Sequence, residues 1–131
     1  MKKILALVLA LSFVSFAGEK KANLKDVMLK MEESTIKILK GFLRNQPNLI
    51  LEGAEYIKNH PDITQQVLEY AKPERRTEGF KKYTAEFDKF VREEASKIEK
   101  YIKNGNKAKA SEYFAQMLDR CNGCHAVFRG W

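Results

Sequence analysis

Apolar residues in this chain recur at steps of three and four, and no stretch alternates as a half-buried strand does. Leu24, Met28, Met31, Thr35, Ile38 and Phe42 step by 4-3-4-3-4. Phe80, Tyr83, Phe87, Phe90 or Val91, Ala95, Ile98 and Ile102 keep a heptad-like step. Ala110, Phe114, Met117, Cys121, Cys124 and Phe128 form a third stripe. Residues three and four apart share one helix face, so each stripe is a face that must be buried against another helix.

The stops between the stripes divide the chain into four expected helices. The first spans 24–44, opened by Asn23 as N-cap with Asp26 at N3. Gln46-Pro47 turns into a second, 47–59, with Leu49, Ile50, Gly53, Tyr56 and Ile57 near its core face. Asn59-His60-Pro61 ends it. A crossing segment, 61–76, carries a short helical piece over 63–70 and breaks at Lys72-Pro73. The third helix is expected over 74–103, Asn104-Gly105 turns the chain, and the fourth runs over 106–128. Four amphipathic helices with mostly short joins predict an all-α, antiparallel up-down-up-down four-helix bundle.

The fourth helix carries the chemistry. Cys121-Asn122-Gly123-Cys124-His125 is a C-x-x-C-H run built from the only two cysteines of the chain. Such a run reads as a c-type haem attachment site, with thioethers to both sulfurs and iron on the adjacent imidazole. On a helix the three side chains stand at i, i+3 and i+4, so one helix can grip one edge and one axial side of a porphyrin. The small Asn122-Gly123 pair leaves room for the macrocycle edge. A redox dithiol needs no following histidine and keeps company with a βαβ pattern, absent here. A zinc site needs four N or S ligands, and the chain holds two Cys and two His in all. A Cys121–Cys124 disulfide would strain a helix and close almost no loop.

The start of the chain agrees. Met1-Lys2-Lys3 is a basic lead-in, residues 4–16 are apolar, and Ser15-Phe16-Ala17 flanks a cleavage point after Ala17. The apolar run is short of the roughly 20 residues of a spanning helix. We therefore expect a signal peptide over 1–17, export to the periplasm, a single haem domain over 18–131, and no membrane span after cleavage. The formal charge is +7, with 24 basic and 17 acidic residues interleaved along the helices. That describes a solvated surface, on which Lys81, Lys82, Glu86, Lys89, Glu93 and Glu94 are expected to lie. No basic block interleaved with aromatics points to nucleic acid, and no nucleophile–base set or phosphate loop points to an enzyme.

Helix direction places the haem. In an antiparallel bundle the end of the fourth helix meets the start of the first, the end of the second and the start of the third. His125 would then share its end with Met28, Met31, His60, Phe80, Tyr83 and Phe87, with 61–76 as a lid. The sixth iron position is open to Met28, Met31, His60 or no residue. A thioether opposite histidine raises the reduction potential, yet a Met at helical spacing is also an ordinary core filler. His60 beside Pro61 reads more often as a solvated cap-region histidine than as a ligand. Arg129, one turn past His125, is placed for a haem propionate, the proximal imidazole or the negative end of its helix. Trp131 would pack under the haem end or fray.

Cys121-x-x-Cys124-His125-x-x-x-Arg129, at the end of the last of four helices behind a leader, resembles the class II c-type cytochromes. This is the cytochrome c′ family with its low-spin, Met-ligated relatives. Leu24-Lys25-Asp26-Val27-Met28 is also similar to the first helix of the soluble haem-b four-helix cytochromes. The resemblance implies one covalent haem c and, in the low-spin branch, Met28 rather than Met31 as axial ligand. In the cytochrome c′ branch it implies an apolar residue blocking an open face. It also implies a homodimer through the first two helices. The expected function is one-electron transfer with redox partner proteins. The alternative is binding of a small diatomic gas, nitric oxide or carbon monoxide, at five-coordinate iron. A non-haem helical binding module would require the C-x-x-C-H run to be accidental.

Overall fold

The computed structural model describes residues 23–130. The expected leader and Trp131 lie outside the described residues, as does the side chain of Arg129. Among the described residues the chain is all-helical, with no strand. The helices are α1 (Leu24–Leu43), α2 (Pro47–Asn59), α3 (Thr64–Tyr70), α4 (Glu78–Lys103) and α5 (Lys107–His125). A 3-10 turn covers Pro73–Arg75, and α5 widens into a π-helical turn over Ala126–Gly130.

Local chemistry sets the ends. The Asn23 side chain accepts a hydrogen bond from the Lys25 N–H at 2.8 Å and opens α1. α1 and α4 stop in the same way. Asn45 (φ 54°) and Gly105 (φ 74°) take the left-handed conformation just past each helix. The Gln46 N–H then reaches back to the Gly41 carbonyl at 2.8 Å, and the Asn106 N–H to the Tyr101 carbonyl at 2.9 Å. Each stop satisfies carbonyls that a bare helix end would leave unpaired and turns the chain at once into the next helix.

α4 begins later than its apolar stripe suggests. Thr77, not a residue near 74, is the N-cap, and its hydroxyl accepts from the Phe80 N–H at 3.1 Å. Pro73 starts only a single tight turn. Arg76 ties that turn to the end of α3 through the carbonyls of Ala71 (2.9 Å) and Glu69 (3.0 Å).

One core joins α1, α2, α4 and α5 through Ile38, Ile50, Ile57, Ala95, Ile98 and Met117 among others. Phe42 of α1 reaches Phe114 of α5 with ring centroids 5.7 Å apart. A second cluster joins Leu24 and Val27 of α1 to Ile63 and Val67 around α3, with Met28, Met31, Phe80 and Phe128 against it. The segment before α4 thus caps the end of the molecule where α1 starts and α5 finishes.

Two polar residues depart from their expected settings. Glu94 does not lie on a solvated face; it is fully buried, with one oxygen held by Lys97 at 2.6 Å and the other without a partner among the described residues. It sits between Val91 and Ala95 on the buried side of α4, where Lys97 leans in from the next turn to pair with it. His60 is not a solvated cap-region histidine either: it is 2% exposed and hydrogen-bonded through both ring nitrogens.

Candidate functional site

α1, α4 and α5 supply the long walls of a cavity of about 730 Å³, to whose lining Ile57, Ile63 and Tyr70 add. That volume lies within the roughly 300–1,000 Å³ usual for ligand and cofactor sites. Its lining is mostly apolar. Charge enters at Lys25 and Glu32 from α1, Asp88 from α4 and Arg120 from α5.

The C-x-x-C-H residues Cys121, Cys124 and His125 line the α5 wall, and Met28 and Met31 line the α1 wall. Both methionines are half-buried because α1 divides its inward side in two. Val27, Ser34, Ile38 and Gly41 are buried, while Met28, Met31 and Thr35 turn to the cavity. His125 is the last residue of α5. Past it the π-helical turn brings Phe128 back to the cavity wall.

Phe87 lines the cavity from α4 and lies against the motif. A Cβ on Gly123 would stand 3.1 Å from the Phe87 ring, so the glycine lets α5 approach α4 at the C-x-x-C-H motif. Tyr83 is not among the lining residues. Its ring meets that of Phe87 at a tilt, with centroids 4.4 Å apart, and stacks on Phe80 at 6.4 Å. Its hydroxyl nevertheless lies near the motif: burial and then Cys124 raise its pKa, while Arg120 lowers it. His60 is also absent from the lining. Its ring nitrogens are committed to the Ile57 carbonyl and to Asp88, each at 2.6 Å, so it has no lone pair for iron.

Burial pushes the Cys121 thiol up to about 11, with the neighbouring Cys124 adding to the effect. Burial also raises Cys124, helped by the charge of Asp88. Both sulfurs are therefore protonated near neutral pH. Reactive dithiols show the opposite, since thiolate is the nucleophile and their environments lower the pKa. The Asp88 carboxyl feels burial, which raises it. Hydrogen bonds from His60 and Arg92, and their charges, outweigh this and hold it below its ordinary value.

The apolar pattern did not single out Thr84, Asp88 or Arg120. Thr84, Asp88, Val91 and Ala95 in fact step by 4-3-4, but two of the four are polar, which hides the stripe. Thr84 is buried because its hydroxyl donates to the Phe80 carbonyl at 2.9 Å. Arg120 stacks over Phe90, its guanidinium carbon 4.3 Å from the ring centroid, and borders the cavity beside Cys121.

The residues present fit a covalently held haem: two protonated thiols and an imidazole on one helix, facing an apolar cavity with two thioethers on the opposite wall. Among the described residues no group of three or more His, Cys, Asp or Glu is clustered as a metal-ion site. No described helix is long and apolar enough to cross a membrane. No family model matches the chain, and neither the curated proteins nor the solved structures contain a significant match.

Proposed function

We propose that the chain is an exported c-type cytochrome of the class II kind, an up-down-up-down four-helix bundle that carries single electrons in the periplasm. The observation that supports this is the shared cavity: Cys121, Cys124 and His125 on its α5 wall and Met28 and Met31 on its α1 wall. Cys121 and Cys124 would hold one haem through thioether bonds, and His125 would be the proximal ligand. When bound, the haem supplies an iron that alternates between Fe(III) and Fe(II).

The chain's own part is to hold, shield and tune. Thioether attachment on a regular helix fixes the macrocycle edge. The apolar walls would limit the water around a bound haem and so the reorganisation as its charge changes. Met28 would offer its thioether to the iron, with Met31 beside it as packing. A thioether opposite histidine favours Fe(II) and raises the potential. Lys25 and Arg120 border the cavity and offer cations for the propionates. Arg129 shares that role by its place in the sequence.

A second reading uses the same cavity. Leu24, Ile36 and Ile57 give its lining apolar surface beside Met28. Were these residues to cover the iron in place of sulfur, the face would be open to nitric oxide or carbon monoxide.

Visible spectra of the oxidised and reduced protein, with and without carbon monoxide, separate the two. The carrier reading expects low-spin iron, a Met-to-iron charge-transfer band and no response to the gas. High-spin iron that shifts on adding carbon monoxide would favour the gas binder.

A further inference from the structure

The net positive charge of the chain is gathered at one end of the molecule. The turn between α1 and α2 and the turn between α4 and α5 lie side by side, joined by the hydrogen bond that the Lys107 ammonium donates to the Asn45 side-chain oxygen. Residues 40–51 and 100–111 run through these turns. They hold Lys40, Arg44, Lys100, Lys103, Lys107 and Lys109 and no Asp or Glu, which leaves the rest of the chain almost balanced. The acidic residues that bound the two stretches are already taken: Glu52 pairs with Lys37, Glu99 with Lys58 and Glu112 with Lys109. Lys40, Arg44, Lys100, Lys103 and Lys107 are exposed and have no carboxylate partner among the described residues.

An apolar row runs into the same end. Leu39 and Leu43 stand one turn apart on α1, 46% and 78% exposed, beside the row of Lys40 and Arg44. Neither leucine belongs to a core cluster. Exposed leucines flanked by cations are the pattern of a helix at a membrane interface: the apolar side chains enter the headgroup boundary and the cations meet anionic headgroups. An acidic protein would answer the charge but would need a hollow for a leucine that stands out at the end of a helix. A lipid surface takes such a side chain by insertion. The cavity lies away from this end, for its lining takes nothing from α1 after Ile36, from α4 after Val91 or from α5 before Leu118. Leu43 is roughly 22 Å along α1 from Met28 at the helical rise per residue, so a contact here leaves the cavity uncovered.

We propose that this end docks the protein on an anionic lipid surface, with Leu43 inserted at the headgroup boundary, Leu39 behind it, and Lys40, Arg44, Lys103 and Lys107 set against the headgroups. The contact is peripheral and reversible, since it draws on a few cations and two leucines rather than on a spanning helix. Salt weakens it, because exposed charges are screened beyond about 8 Å at physiological ionic strength. The inference does not depend on haem.

The test uses the protein as its exporting host releases it, sedimented with vesicles of phosphatidylcholine alone or mixed with phosphatidylglycerol. Binding should require phosphatidylglycerol and should weaken steeply as salt is raised to about 1 M. Each cation removed should weaken it about fivefold, so Lys40→Gln, Arg44→Gln, Lys103→Gln and Lys107→Gln together should weaken it on the order of several hundredfold. Leu43→Ser, at an exposed position outside the core, should weaken it about tenfold. A control of the same net charge, Lys30→Gln, Lys72→Gln, Lys82→Gln and Lys89→Gln, also changes exposed residues and should bind as the unaltered protein does. Circular dichroism checks the fold of each variant; if the fourfold variant at the turns does not fold, Arg44→Gln alone tests the charge. Equal binding to both vesicle compositions, equal loss in the two fourfold variants, or a Leu43→Ser that binds undiminished overturns the proposal. So does a protein that ignores vesicles and binds poly-glutamate in solution, which would turn this end toward an acidic protein.

Discussion

Gly53 of α2 lies so close to Ser34 of α1 that a Cβ on the glycine would stand 2.5 Å from the Ser34 carbonyl oxygen and 2.7 Å from Ile38. The obstacle is backbone on a helix, which cannot swing aside. Gly41 makes the matching approach to Ile50 at the other end of the pair. Gly53→Ala gains roughly 1 kcal/mol of helix propensity but must push the helices apart. Overpacking of this kind costs about 3 kcal/mol. The net expectation is a loss of about 2 kcal/mol in urea unfolding; a stabilised variant would contradict the close α1–α2 packing.

The α1 wall predicts different outcomes for its two methionines. Met28→Ala should turn the iron high-spin and remove the Met-to-iron charge-transfer band. Met31→Ala should leave the spectrum intact and cost about 2 kcal/mol in stability through lost packing. Exchange of the two outcomes would move the axial ligand one turn along α1.

Asp88 predicts how the fold responds to acid. Its carboxyl is held below the ordinary value in the folded chain. The stability it contributes is therefore fully present above the unfolded value, near 3.9, and is lost as pH falls through the lower folded value. Asp88→Asn should flatten that part of the acid unfolding curve. At neutral pH it should cost about 3 kcal/mol, because His60 and Arg92 lose their anion. An unchanged acid limb would show that the cluster does not form.

The raised thiols predict slow chemistry. With Cys121 at about 11 in place of 9.0, the haem-free chain holds about a hundredfold less thiolate at neutral pH than an unperturbed thiol. Alkylation of Cys121 by iodoacetamide should be slower by about that factor and should recover on unfolding. Fast alkylation of the folded chain would indicate a reactive dithiol instead.

The helices were legible because burial on one face leaves a period of three and four in apolar residues, and because Asn23, Pro47 and Asn104-Gly105 act through local chemistry. The start of α4 was less so. The apolar stripe begins near Phe80, and only the Thr77 hydroxyl on the Phe80 N–H decides where the helix opens. The motif residues, Met28, Met31 and Phe87 could be read because each bears a cavity-facing or chemically distinctive side chain. His60, Asp88, Thr84 and Glu94 could not. A polar side chain is buried only if partners from elsewhere satisfy it, and those partners are set by packing rather than by spacing.

The central claim is covalent haem on α5. Its most direct test is the intact mass of the full chain, residues 1–131, produced in a host that exports and attaches haem, together with the reduced visible spectrum. The account predicts a processed chain heavier by one haem, and no added haem in the Cys121→Ser, Cys124→Ser double variant. A folded, exported wild-type chain at its bare polypeptide mass would contradict it.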